Sequence, residues 1–259
     1  MSNLLLKGQP IGKVKGILFD KDGTLSNSEE NLLKLTQLRI NQVSTLIDSH
    51  NGINKKSNIK LKQLLSTSYG ITPKGIKPDK ILAVASRNDN LIATATIISL
   101  LEESWPNAIN IATEAFDKAD KLYLERQDRQ LTSPVLPGFI SFFKELRKKN
   151  IICSLISNDN THGIKNFLNN NNLDKGISHF WSCENKPVKP NPLAVHALCK
   201  LIKLNPEDCA LIGDSDSDLL MAQQAGIPIV LGYSGGWKIP PILTYQDHLF
   251  HNWEELSID

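Results

Sequence analysis

Apolar positions follow two different rhythms along this chain. From about residue 133 onward, short apolar runs alternate with helical spacing. Pro137-Gly138 opens a helix predicted over Phe139 to Lys149, and Ile151 to Ile156 reads as a strand. His162 to Asn169 reads as a helix that ends in the Asn-rich loop Asn169 to Asn172. Asn191 is the expected N-cap of a helix over Leu193 to Lys203, with Pro192 at its first position. Cys209 to Ile212 is a strand, Asp216 to Ala225 a helix stopped by Gly226, and Ile227 to Leu231 another strand. Such alternation predicts a parallel sheet with helices on its faces. Near the start, Val14 to Phe19 is a further apolar, strand-like run. Between about Ser26 and Leu131 the spacing is helical instead: Glu29 to Ser49, Asp89 to Glu103 and Asn107 to Gln127. A Gly/Pro-bearing segment, Tyr69 to Pro78, interrupts it. The expectation is therefore an α/β sheet domain whose first strand is separated from the others by a helical insertion.

Composition narrows this only a little. The chain has 259 residues, 41% of them apolar and 22% charged, which is ordinary soluble usage. With 29 basic and 27 acidic residues, the formal charge of +2 leaves no electrostatic footprint for nucleic acid or an anionic membrane. No apolar run approaches bilayer length. Met1 to Pro10 contains Leu4-Leu5-Leu6 but lacks a basic start and a small-residue cleavage site, so no secretory signal is expected. Cys153, Cys183, Cys199 and Cys209 form no Cys-x-x-Cys pair. Free thiols in a reducing compartment, hence the cytoplasm, are the expectation.

The candidate chemistry sits where the apolar runs end. Val14 to Phe19 runs into Asp20-Lys21-Asp22-Gly23-Thr24. Carboxylates two residues apart at a strand tip share one side, and like charges held so close call for a cation, a proton or a substrate. The plainer reading is an Asp-Gly turn. After Ile156 come Ser157 and Asn158, whose hydroxyl and backbone N–H at a strand end suit an anionic oxygen; a simple Ser-Asn turn is the alternative. Lys189 stands in Lys-Pro-Asn-Pro, where flanking prolines would aim its ammonium; Lys186 competes with it but lacks the second proline. After Ile212 comes Gly213-Asp214-Ser215-Asp216-Ser217-Asp218. Three carboxylates at one strand mouth suit a hard cation, and an acidic first helical turn is the alternative. Asp214 fits ligation best, Asp216 fits the helix turn, and Asp218 fits either. In open parallel sheets ligands bind beyond the carboxyl ends of the strands, where all four elements lie.

Taken in order, Asp20-x-Asp22-Gly-Thr-Leu, Ser157-Asn158, Lys189-Pro-x-Pro and Gly213-Asp214-Ser-x-x-Asp218 resemble the haloacid dehalogenase superfamily. The stretch through Leu25-Ser26-Asn27-Ser28 and Gly213 to Gly232 is most similar to its phosphoglycolate phosphatase-like branch, which often has Asp where Asn27 stands. The resemblance implies a Rossmann-like, doubly wound parallel sheet core at 1–25 and 133–259, with an all-α cap domain at 26–132. It implies Asp20 as nucleophile forming an aspartyl-phosphate and Asp22 as general acid and base. Ser157, Asn158 and Lys189 would bind phosphate. Asp20, Asp22 (through its backbone carbonyl), Asp214 and Asp218 would serve a Mg2+ site. The implied activity is Mg2+-dependent hydrolysis of a small phosphomonoester, phosphoglycolate among the options. The partner would be a small phosphorylated metabolite, with monomer and homodimer both open. A β-phosphoglucomutase-like phosphomutase is the runner-up, and a non-catalytic binder of a phosphorylated metabolite stands behind it. Asp22 argues against dehalogenase activity.

Four further readings concern the periphery. Specificity is expected from the cap, where Arg87, Lys74 and Lys77 are candidate contacts but read more simply as solvated residues. Tyr233 to Trp237 follows a strand and reads equally as a site entrance or an ordinary loop. His248 and His251 have too few neighbouring ligands for zinc. Gln246 to Asp259 reads as a terminal addition packed through Leu249, Phe250 and Trp253.

Overall fold

A computed structural model of the chain describes residues 1–51, 55–101, 103–126 and 133–259. It opens with a hairpin, β1 (Ser2–Leu6) and β2 (Gln9–Val14), followed by β3 (Gly16–Phe19). Then come α1 (Glu29–Asn51), α2 (Lys55–Tyr69), a short ladder of β4 (Ile71–Thr72) and β5 (Gly75–Ile76), α3 (Ile81–Val84), α4 (Arg87–Ser99) and α5 (Trp105–Arg126). The remainder runs α6 (Phe139–Lys148), β6 (Ile152–Ile156), α7 (Thr161–Asn170), β7 (His179–Trp181), α8 (Pro192–Leu201), β8 (Cys209–Gly213), α9 (Asp216–Gln224), β9 (Ile229–Tyr233), β10 (His248–Phe250) and β11 (Leu256–Ile258). Two compact units result: Met1–Ser28 with Thr132–Asp259, and Glu29–Leu131.

The first unit is built on a six-stranded sheet in the order β10-β9-β8-β3-β6-β7, every pair parallel. This is the Rossmann-like α/β class expected from the alternating pattern. Strand alternation sends Ile17 and Phe19 to one face and Leu18 to the other, so both faces need helices. Phe139, Phe142, Phe143 and Leu146 of α6, with Ile164 and Phe167 of α7, cover the first. Ala194, Val195 and Leu198 of α8, with Leu219 and Ala222 of α9, cover the second. Helix starts follow the chain's own chemistry. Asn160 accepts from Gly163 N to cap α7, Asn191 from Leu193 N to cap α8, and Ser215 from Asp218 N to cap α9.

Chain order reverses at β3: β6 and β7 lie on one side, β8, β9 and β10 on the other. A crevice at such a switch point, beyond the carboxyl ends of the strands, is the usual ligand position in this architecture. Phe19 is level with Ile212 and with Leu155, so Asp20 and Asp214 emerge on adjacent strands beside the end of β6.

Several expectations need correction. The apolar run Val14–Phe19 is two strands, not one. Val14 ends β2 and pairs with Ser2, while Gly16 begins β3 between Ile152 and Cys209. The N-terminus, which showed no pattern, forms a hairpin closed by Lys7-Gly8 at φ 51° and 76°, and joins β11 in a separate antiparallel sheet. Its two-residue loop ending in Gly was the available signal. Leu249 is exposed and does not anchor the C-terminal segment; Phe250 and Trp253 do, with Trp253 fully buried among Phe19, Phe139, Phe142 and Tyr233.

The second unit is helical, as expected, with one two-residue ladder, β4–β5, among its helices. The ladder pairs Ile71 with Ile76 and Thr72 with Gly75, and Ile76 N donates to the Glu29 carboxylate at 2.8 Å. Inside this unit Arg39 reaches Asp120 at 3.2 Å and lies over the Phe116 ring at 4.3 Å. Arg87, a candidate substrate contact, is engaged by Asp117 at 2.7 Å and Asp120 at 2.6 Å, while Lys74 and Lys77 are exposed. The helix expected to reach Gln127 and the expected junction at 131–132 end outside the described residues.

Candidate active site

Asp20 follows β3 directly, and its backbone N–H donates to Ile212 O at 2.9 Å, so the strand ladder itself fixes it. Lys189 arrives from the loop before α8. Its Nζ donates to Asp20 Oδ1 at 2.6 Å, lies 2.8 Å from Asp218 Oδ1, and donates to the Ile156 carbonyl at 3.3 Å. All of these side chains are withdrawn from solvent: Asp20 is 7% exposed, Lys189 8%, Asp214 4% and Asp218 4%. Oxygens of Asp20, Asp214 and Asp218 lie within 4.8 Å of one another. Residues distant in sequence thus converge as the strand-end argument predicted. Lys189 is the lysine of the site, and Lys186 is exposed.

Three buried carboxylates face one ammonium, and the electrostatics register the imbalance. Burial pushes Asp20 up to about 6; Lys189 pulls it down, and Asp218 and Asp22 push it up again. Burial, then the charge of Asp20, raise Asp214 well above the usual carboxylate range, against hydrogen bonds from Trp237 and Thr24. Burial alone would lower Lys189, but Asp20 and Asp218 outweigh it, so the amine stays an ammonium. An all-oxygen donor set carrying excess negative charge in a dry crevice fits a hard divalent cation.

Asp214 is the one acid of the three that receives no ammonium. Thr24 Oγ1 donates to its Oδ1 at 2.8 Å, and Trp237 Nε1 donates to its Oδ2 at 2.5 Å. Asp216 turns away and accepts from Thr244 N at 2.7 Å and Thr244 Oγ1 at 2.8 Å, which matches its reading as a helix-turn residue.

Asp22 lies beside this trio without its carboxylate joining it. Its Oδ1 accepts from Lys21 Nζ at 2.7 Å and from the Ser28 hydroxyl, and the side chain stays partly open to solvent. Ser157 is buried after β6, and its hydroxyl accepts from Asp159 N at 3.1 Å; Asn158, the next residue, is half-buried.

Sequence reasoning gave two residues of the neighbourhood no specific role. Lys21 stands between two acids in the sequence. It is buried, bridges Asp22 and Asp159 (3.0 Å), and lies over the Phe167 ring at 5.7 Å. Trp237 ends the Tyr233–Trp237 stretch, which read equally as a site entrance or an ordinary loop. It arrives by a loop whose Gly236 sits so close to Gly23 that an added Cβ would lie 1.7 Å from the Gly23 carbonyl oxygen.

A sequence model described as haloacid dehalogenase-like hydrolase matches residues 14–226. The chain is 24% identical over 228 residues to phosphoglycolate phosphatase 1 of Pseudomonas aeruginosa, an overlap of 86% of this chain and 72% of that one. It is 24% identical to the phosphoglycolate phosphatase of Psychrobacter arcticus over 86% of this chain and 84% of that one. Among solved structures, a predicted phosphoglycolate phosphatase from Haemophilus somnus superposes with a TM-score of 0.63 at 21% identity, covering 94% of this chain and 96% of that one. A subfamily IA hydrolase of the same superfamily from Geobacter sulfurreducens superposes with a TM-score of 0.54 at 17% identity, covering 95% of each chain.

Proposed function

The chain belongs to the haloacid dehalogenase-like hydrolases, and from that premise we propose that it is a Mg2+-dependent phosphatase that cleaves a small phosphomonoester through an aspartyl-phosphate. One observation carries the reading: Asp20, Asp214 and Asp218 lie buried together, with a single lysine between two of them. Relatives named phosphoglycolate phosphatase make phosphoglycolate the first substrate to test. The helical unit Glu29–Leu131 is assigned as the cap of this family. Four free cysteines and no described helix long and apolar enough to cross a membrane accompany a cytoplasmic assignment.

Asp20, Asp214 and Asp218, with the backbone carbonyl of Asp22, would hold the cation. Bound there, it would offset the charge of a phosphoryl group beside three carboxylates and favour charge development during transfer. The chain's own residues do the rest. Lys189 holds Asp20 by a charge-assisted bond, aims one carboxylate oxygen and leaves the other for attack on phosphorus. Ser157 and Asn158, at the end of the neighbouring strand, offer donors to the phosphoryl oxygens. As the bond from Asp20 to phosphorus forms, the ester P–O bond breaks, and Asp22 gives its proton to the departing alkoxide. Asp22 then takes a proton from water. The resulting hydroxide attacks the same phosphorus, the Asp20–phosphorus bond breaks, and inorganic phosphate leaves with the Asp20 carboxylate restored. Lys21 and Ser28 hold the Asp22 carboxylate for both transfers.

The test is phosphate release from a panel of phosphomonoesters, phosphoglycolate included, with Mg2+ and with chelator. Mg2+-dependent release of inorganic phosphate from at least one member is expected. Silence across a broad panel contradicts the phosphatase, and return of the phosphoryl group to a sugar favours the phosphomutase.

A further inference from the structure

We propose that Trp237 is a positioning residue for the cation site, its indole N–H fixing the Asp214 carboxylate in the orientation that meets the ion. The inference rests on the reading of Asp214 as a cation ligand and adds to it the residue that holds that ligand.

Asp20 and Asp218 are oriented by the Lys189 ammonium, at 2.6 Å and 2.8 Å. Asp214 is oriented by two neutral donors, Thr24 Oγ1 on Oδ1 and Trp237 Nε1 on Oδ2. Neutral donors leave its charge uncompensated, and each carboxylate oxygen keeps a further lone pair for a metal. A purely packing tryptophan would need only some acceptor for its N–H. The surrounding backbone instead looks fitted to this acceptor. A Cβ on Gly23 would lie 2.2 Å from Trp237 Nε1 and 2.5 Å from Asp214 Oδ2. A Cβ on Gly236 would lie 1.7 Å from Gly23 O, and one on Gly235 would lie 2.1 Å from His251 O. Glycine at 23 and 236 lets the loop after β9 settle onto the turn between Asp22 and Thr24, and glycine at 235 lets the same loop pass the His251 carbonyl. The indole reaches the carboxylate because that approach is open. Partners of this kind behind a metal ligand typically change metal affinity by about 10- to 100-fold when removed.

Mn2+ alone serves as the probe, because the same oxygen donors accept it and its free form is read by electron paramagnetic resonance. Trp237→Phe keeps an aromatic ring and deletes the donor, so its Mn2+ dissociation constant should rise by about tenfold or more. Thr24→Val should also weaken binding, and Thr24→Ser, which keeps the hydroxyl, should restore it. Mg2+ should perturb the tryptophan emission of the wild-type chain and leave that of Trp237→Phe unchanged, although three other tryptophans remain. A Trp237→Phe protein that binds Mn2+ as tightly as wild type overturns the proposal. If Trp237→Phe does not fold, unaltered Mn2+ binding by Thr24→Val, or wild-type emission indifferent to saturating Mg2+, overturns it instead. Asp214→Asn separates the two levels: unaltered Mn2+ binding there removes the cation-site reading itself, whatever Trp237 does.

Discussion

At the scale of residues, Lys189 is the counterweight on which the acidic crevice depends. Deleting one partner of a buried ion pair leaves an uncompensated charge, at a cost of about 3–5 kcal/mol. Lys189→Met should therefore lower the unfolding free energy of the cation-free protein by roughly that amount at pH 8 in denaturant titrations. The loss should shrink as the pH falls and Asp20 takes up a proton. Asp22 has a different task, and Asp22→Asn should lower kcat by about 10²–10⁴-fold, the usual worth of a general acid–base group. The same substitution should slow esters with poor leaving groups more than a nitrophenyl ester, whose leaving group needs no proton. Steady-state rates on both substrate types check this. Asp20, Asp214 and Lys189 stood out in the sequence because the two acids directly follow strands and the lysine precedes a capped helix, whereas Asp218 lies inside α9 and stood out only as part of the acidic run after β8. Lys21 and Trp237 did not. A buried lysine is recognised only through its partners, Asp22 and Asp159, and the second of these comes from the loop after β6. Trp237 acts across a loop contact that no periodicity encodes.

At the scale of elements, the four central strands β9, β8, β3 and β6 and the helices between them were readable because buried strands are continuous apolar runs with capped helices between them. The short edges were not. β7 and β10 have three residues each, too few to show a period. The β1–β2 hairpin was hidden by weak alternation and by the merging of Val14 with the run that forms β3. Within the C-terminal segment, Phe250 and Trp253 pack into the core beneath the sheet. Trp253 is fully buried and contacts five aromatic rings, those of Phe19, Phe139, Phe142, Tyr233 and Phe250. Trp253→Ala should cost about 3–5 kcal/mol in chemical denaturation, the range for truncating a buried large aromatic. Because Phe19 precedes Asp20, activity in that variant should fall along with stability.

At the scale of the whole molecule, the fold gathers buried negative charge that the proposed cation would relieve. Asp20 is raised from 3.8 to about 6 in the folded chain, so the native state holds this proton more tightly than the unfolded state. Its contribution is complete below about 3.8, declines as the pH rises through that window, and is gone above about 6. Asp214 shifts in the same direction. A bound cation favours the ionised carboxylates and reverses the effect. Mg2+ should therefore raise the melting temperature more at pH 8 than at pH 5, and Asp214→Asn should remove much of that difference. Scanning calorimetry with Mg2+ and with chelator, at both pH values, reads it directly. The central claim is that the carboxylate at the tip of β3 receives the phosphoryl group. Acid quench during turnover of a phosphomonoester, followed by peptide mapping in a mass spectrometer, addresses it most directly. The account predicts a phosphorylated peptide modified at Asp20, absent without Mg2+ and absent in Asp20→Asn. Phosphate release at full rate with no such adduct, or with the adduct on another residue, would contradict it.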